Sequence, residues 1–219
     1  MAARTRPAPP EPVQLALPEL VDTDAVTLAA RDRREAERYS DADLSGAVLP
    51  QASFGECAFE RVALHEADLR GLHLTECRLQ QVDAAALGVA RSGWRSVAVT
   101  GSRLGALEAY ESTWRNVELT ESKLGYLNAR GSTWTDVTLR DCVVEELDLG
   151  GARLTRVAFP GCRIASLRLA GATLVDVDLR EARLESIEEL AGLAGGWVSE
   201  AQLSELAPLL AAHLGIRVG

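Results

Sequence analysis

Every fifth residue from Leu44 to Leu184 is apolar, with no insertion or deletion to break the step. The series opens Leu44, Leu49, Phe54, Phe59, Leu64 and closes Ile164, Leu169, Leu174, Leu179, Leu184. The residue two before each is small or aliphatic, as at Ala52, Cys57, Val62 and Ala67. A helix repeats its apolar face near 3.6 residues and a strand at 2, so a sustained period of five fits neither. It fits a chain that turns a corner every five residues and stacks its coils into a solenoid.

A second period, of 20, says that four corners close each coil. Trp94, Trp114 and Trp134 are 20 apart, and so are Leu87, Leu107, Leu127, Leu147 and Leu167. From Ser92 three near-copies follow one another: SGWRSVAVTGSRLGALEAYE, STWRNVELTESKLGYLNARG and STWTDVTLRDCVVEELDLGG. Leu87, Leu107 and Leu127 are each followed two residues later by a small Val89, Ala109 or Ala129. The two inward positions thus trade volume, as close packing requires.

Ala42-Asp43-Leu44-Ser45-Gly46 and Ala67-Asp68-Leu69-Arg70-Gly71 read as A(D/N)Lxx. On these residues and the unbroken register, which spans about two thirds of the chain, the sequence resembles the pentapeptide repeat proteins. The resemblance implies an all-β solenoid, a right-handed quadrilateral parallel β-helix with a dry core and no pore, here with a C-terminal α-helical cap. At about 4.8 Å per coil the repeats predict roughly seven coils and a rod about 35 Å long.

The expected organisation is a partly disordered leader and cap over 1–40, the β-helix over 41–187, and a helical cap or dimerisation segment over 188–219. Residues 1–14 carry Pro7, Pro9, Pro10 and Pro12 and read as disordered. Thr23 or Asp24 is placed to cap a helix through Val26, Leu28, Ala29 and Ala30 into the charged stretch Arg31 to Arg38, read as a solvated face over the first coil in preference to a contact surface for a partner or nucleic acid. Bare strand edges at a solenoid end need such cover. At the far end Ser199 and Gln202 form a capping box. It opens a helix with Leu203, Leu206, Leu210 and Leu214 on one stripe and Gly215 as its stop. Pro208 is expected to kink the helix or start a second turn, and Ile216 and Val218 to form an extended tail.

Composition adds exclusions. Apolar residues make up 47% and charged residues 25% of the 219, with net charge −9. No apolar run is long enough to span a bilayer. Arg4 and Arg6 lack a following hydrophobic core, so no signal peptide is read and a cytoplasmic setting is expected. Cys57, Cys77, Cys142 and Cys162 all face inward as two pairs 20 apart. Their stacking is within disulfide reach, but the strand geometry and a reducing compartment favour small buried thiols, and a metal would need more ligands. His65, His73 and His213 are far apart, and no GxSxG, P-loop, HExxH or CxxC pattern occurs. A filled rod offers no cleft, so neither catalysis nor a cofactor is expected.

What remains is the outward surface, one residue per coil in straight columns. Acidic columns place candidate partner contacts at Asp68, Glu108 and Asp148, at Glu121, Asp141 and Glu181, and at Glu56, Glu76, Asp136 and Asp176. A basic column runs through Arg103, Lys123, Arg163 and Arg183. The tail GWVSEAQLSELAPLLAAHLGIRV resembles that of the gyrase-inhibiting pentapeptide repeat proteins, which pair through such a helix. The resemblance implies a homodimer held through Leu203, Leu206, Leu210, Leu214 and Ile216, and a rod that takes the place of duplex in the DNA saddle of DNA gyrase or topoisomerase IV. No loop insertion interrupts the register, unlike in some quinolone-protecting relatives. Duplex carries roughly 20 charges over such a length, whereas residues 42–186 hold 20 acidic against 16 basic residues, a net of −4. The alternative is a scaffold that binds some other protein. A continuous acidic stripe would favour mimicry, and acid and base on one face would favour the scaffold. Direct nucleic-acid binding wants a basic excess and is not expected; neither is membrane contact.

Overall fold

The computed structural model describes residues 6–217. Its chain winds into a parallel β-solenoid of about nine turns followed by a single helix. In the coil 111–130 the corners at Glu111, Asn116 and Glu121 take left-handed φ values of 55°, 54° and 51°. Such a backbone costs a non-glycine residue about 1 kcal/mol. The ladder offsets that cost, because each corner amide finds a carbonyl one coil on: Glu111 N–H donates to Arg130 O at 2.8 Å and Glu121 N–H to Arg140 O at 3.0 Å. The fourth corner, at Tyr126, is turned inside the strand Lys123–Asn128 with no left-handed residue. Backbones close up there, and a Cβ on Gly125 would stand 2.4 Å from the Gly105 carbonyl oxygen.

Two parallel sheets result. One is made of strands such as Thr113–Thr120, bent at Asn116 so that each covers two sides of the coil; the other stacks strands such as Lys123–Asn128. Register is 20 residues from Arg33 to Glu188: Trp114 pairs with Trp94 and Trp134, and Leu124 with Leu104 and Val144. The five-step residues from Leu44 to Leu179 are all buried. Indole rings stack 4.7 Å (Trp94–Trp114) and 4.8 Å (Trp114–Trp134) apart, with interplanar angles of 11° and 2°. Those separations match one coil spacing, so the ladder dictates the stack and the rings lie within favourable aromatic range. The three indole N–H groups find no acceptor among the described residues. Each such group costs about 1–3 kcal/mol, which ring burial of this size outweighs.

Serines occupy inward positions along the same coils and satisfy one another across them. Ser92 N–H donates to Ser112 Oγ and Ser112 N–H to Ser132 Oγ, while Ser132 Oγ donates to Ala109 O. On another side Val82 and Ser102 N–H donate to Ser102 and Ser122 Oγ. The four cysteines are buried free thiols in the same kind of position. Burial pushes the Cys77 thiol up to about 12.

The N-terminal quarter differs from expectation. No helix forms over 24–38; Asp24 caps only a 3-10 turn, Ala25–Thr27. Arg33–Glu35 and Glu37–Ser40 are strands paired with Ser53–Gly55 and Ala58–Glu60, and Val21–Asp22 pairs in turn with Glu37 and Arg38. The charged stretch is therefore a further coil, which is why the rod exceeds seven turns. Tyr39 takes the five-step core place, stacked on Phe59 at 5.1 Å. Arg34 takes the next place down, its guanidinium held by Asp32 Oδ2 at 2.8 Å and Thr27 O at 3.0 Å. Ala25 and Leu28 cover the core at that end.

At the far end the last coil is covered by Leu193 and Val198, with Gly196–Trp197 pairing on Thr173–Asp178. The helix Glu200–His213 opens with the full capping box of Ser199 and Gln202. Gln202 Nε2 also donates to Leu179 O and Ala182 O, both at 2.7 Å, tying helix to rod. Pro208 neither breaks the helix nor starts another. Gly215 (φ 72°) ends it: Gly215 N–H bonds Ala212 O and Ile216 N–H bonds Ala211 O, a Schellman motif. Val218 lies outside the described residues.

Trp114→Ala empties the middle of the indole stack and is expected to cost about 3–5 kcal/mol. Urea unfolding monitored by circular dichroism reads this directly; an unchanged midpoint would contradict the placement of Trp114 in the core.

Candidate interaction surface

Corner residues point outward, and the register turns them into columns. The structure separates the expected acidic contacts into those already engaged and those still open. Asp68 is held by Arg70 at 2.7 Å, and that guanidinium keeps its carboxyl below the usual range. Asp148 is buried, paired with Arg130 at 3.2 Å and accepting from Gly150 N–H at 2.9 Å. Asp136 is buried in a two-pronged pair with Arg156, both bonds 2.6 Å, and is likewise held low. Arg156 lies between Asp136 and Asp176 in one column and feels both. Glu108 accepts from Asn128 Nδ2 at 2.7 Å. Glu56, Glu76, Glu121, Asp141 and Glu181 have no salt bridge among the described residues. So Asp136 and Asp148, expected as open contacts, are buried members of ion pairs.

The expected basic column is interleaved with acid. Arg163 reaches Glu185 at 2.8 Å and Glu145 at 3.7 Å, and Arg168 bonds both Glu146 and Glu188. Acid and base share that face.

Sequence reasoning missed the leader. Read as disordered, it lies along the corner column of Asn116 and Asp136: Asn116 Nδ2 donates to Glu11 O at 2.8 Å and Glu11 N–H to Asp136 Oδ1 at 3.1 Å. Pro7 is buried. An extended proline-rich chain carries no internal hydrogen bonds, so it meets a flat wall with its backbone groups available. Met1–Thr5 lie outside the described residues.

On the C-terminal helix, Leu206 and Leu210 are half-buried, while Leu203, Leu214 and Ile216 are exposed, at 52%, 70% and 56%. The exposed members of the stripe do not cover the last coil, against which Leu193 and Val198 pack. Leu209 adds to the open apolar face.

The histidines remain apart. His65 Nδ1 accepts from Ala85 N–H, His73 Nδ1 bonds Gly71 O, and His213 ends the helix. Among the described residues no three His, Cys, Asp or Glu gather to hold a metal, and no helix is long and apolar enough to cross a membrane.

Fold and columns together define a parallel β-solenoid in five-residue register. Residues 40–83 match the family model for pentapeptide repeats, in 8 copies. The chain has the pentapeptide repeat fold, as its likeness to that family implied. No curated protein matches it in sequence. Among solved structures it is similar to HetL, a pentapeptide repeat protein involved in heterocyst differentiation regulation from the cyanobacterium Nostoc sp. strain PCC 7120. Identity there is 16%, coverage 74% of this chain and 88% of that one, and the TM-score 0.47. It is also similar to full-length QnrB1, a plasmid-mediated fluoroquinolone resistance protein. That match has 19% identity, coverage of 90% and 97%, and a TM-score of 0.38.

Because Asp136 is held low by Arg156, its contribution to stability is present above the unfolded carboxylate range, near 4, and is lost as pH falls through its lower folded value. Asp136→Asn is expected to cost about 2 kcal/mol at neutral pH, the range for a hydrogen bond to a charged group whose partner stays partly exposed. It also removes part of the stability loss as pH falls below about 4. Urea midpoints at neutral and acid pH check both; equal destabilisation at the two would contradict the pairing.

Proposed function

We propose that this chain is a non-enzymatic rod that works by binding another protein along its flank, as an interaction scaffold. The observation that carries the reading is the interleaving of charge: Arg163 and Arg168 each bridge carboxylates on neighbouring coils, so the face is a neutral patchwork with a fixed 20-residue repeat. Such a face recognises a partner by position of charge, coil by coil, and not by net attraction. Four buried free thiols suit a reducing, cytoplasmic setting.

A second reading draws on the corner column Glu121, Asp141 and Glu181. All three are exposed and without a salt bridge among the described residues, and Glu121 and Asp141 sit one coil apart. In this reading the rod mimics duplex DNA toward DNA gyrase or topoisomerase IV, as a homodimer joined through the helix that exposes Leu203, Leu214 and Ile216. Gyrase supercoiling with the purified protein decides between the two. Mimicry requires inhibition that is lost on reversing Glu121, Asp141 and Glu181 to Lys, three changes that break no ion pair. The scaffold reading predicts no inhibition by either protein. Light scattering tests the joint: a dimer mass that Leu203→Glu with Leu214→Glu reduces to a monomer supports it, and a monomer throughout removes it.

A further inference from the structure

On the side of the rod that carries Trp94 and Trp114 within, the outward surface has the opposite character. An open groove of about 870 Å³ crosses the lower coils, walled by Arg31, Arg33, Arg70, His73 and Arg91. Its other lining residues are uncharged, with donors at Gln51, Ser53 and Thr75, and no carboxylate lines it. In a chain with 32 acidic residues against 23 basic ones, that composition is a local reversal of sign.

The register builds the groove. Arg33, Ser53, His73 and Gly93 are successive partners in one column, so the guanidinium and the imidazole rise from the same wall two coils apart. Gly93 makes room for the ring, since a Cβ there would stand 3.1 Å from His73 Cδ2. His73 Nδ1 lies 2.8 Å from Gly71 O, an acceptor, which puts the proton on Nδ1 and leaves Nε2 to face outward. Donors remain on every arginine. Arg70 gives Nε and Nη2 to Asp68 and keeps Nη1; Arg91 gives only Nε to Glu111. Arg31 and Arg33 have no carboxylate partner among the described residues. Just above, Arg95 and Arg115 are direct partners in adjacent coils, again with no salt bridge among the described residues. Like charges stacked in register destabilise a sheet, and an anion between or beside them reverses that effect.

We propose that this groove binds a compact soluble anion carrying two or more phosphate groups. Arginine forks match phosphate oxygens two at a time, and a groove of this size is in the range of small-ligand sites. Compactness follows from the borders. Glu35 flanks Arg33 on the same strand and Glu111 stands above Arg91, so a long polyanion extending past the groove meets carboxylates. The lining also offers no Phe, Tyr or Trp on which bases stack, which sets it apart from single-strand nucleic-acid grooves.

Calorimetric titration of the full-length protein with inorganic tripolyphosphate tests this. Saturable binding is expected, weakened about tenfold or more by Arg31→Gln with Arg33→Gln and less by His73→Ala. Arg103→Gln with Arg183→Gln, the same charge change on the far face, is expected to leave it within about twofold. All these positions are outside the core, and unchanged melting temperatures confirm that the variants fold. Equal weakening by that far-face double variant would show diffuse charge attraction and overturn the site, as would absence of saturation at millimolar tripolyphosphate. Tighter binding of a short DNA duplex than of tripolyphosphate, lost in the same double variant, would overturn the compact ligand and assign the face to nucleic acid.

Discussion

The whole molecule depends on one constraint: residue i sits directly below residue i+20, at the spacing of a β-ladder. That spacing is a property of the backbone hydrogen bond, not of the side chains. It brings Trp114 within 4.7 Å of Trp94 and 4.8 Å of Trp134 whether or not the indole nitrogens find acceptors. It sets Ser92 under Ser112 and Ser112 under Ser132, so that each hydroxyl can accept from the amide of the coil below. It also forbids side chains where the backbones close up, as at Gly105 and Gly125.

The same constraint governs the surface. A charge on one coil has its nearest neighbours on the coils above and below, and opposite signs there make short pairs without any long-range folding of side chains. Asp136 with Arg156, Asp41 with Arg61 and Arg91 with Glu111 are all separated by 20 residues. Most of these pairs are exposed and add little to stability; their effect is to set the pattern a partner meets. Acid concentrated in columns by sequence count is thereby partly neutralised in space, and the surface divides into a patchwork face, an open acidic corner and a basic groove.

The period of five made the core readable from Leu44 to Leu184, because large apolar residues at a fixed step have no other three-dimensional explanation. It failed below Leu44 for a specific reason. Arg34 fills a core place with a guanidinium satisfied by Asp32 and Thr27, so the apolar step stops while the coil continues. Local charge density then looked helical, although Arg31 and Ala36 turn left-handed corners. The leader was illegible for another reason: its contacts with Asn116 and Asp136 span more than a hundred residues and use backbone groups, which composition does not reveal. The capping box of Ser199 and Gln202 was legible because it is local. Which leucines of the helix it opens stay exposed was not, since that depends on where the last coil ends. The basic groove escaped notice because its arginines are dispersed from Arg31 to Arg91 and converge only when the coils are stacked.

Deletion at the coil period tests the account most directly. Removing Gly101–Thr120 takes out one coil and rejoins Thr100 to Glu121, which occupies an equivalent corner. The shortened chain is expected to give the same circular dichroism spectrum and a cooperative melt at a lower temperature. Removing Gly101–Tyr110, half a coil, sets a bent strand of one sheet against the other sheet and is expected to yield no cooperative transition. If the half-coil deletion folds as well as the full one, or the full one does not fold, then stacking in a register of 20 is not what holds this protein together.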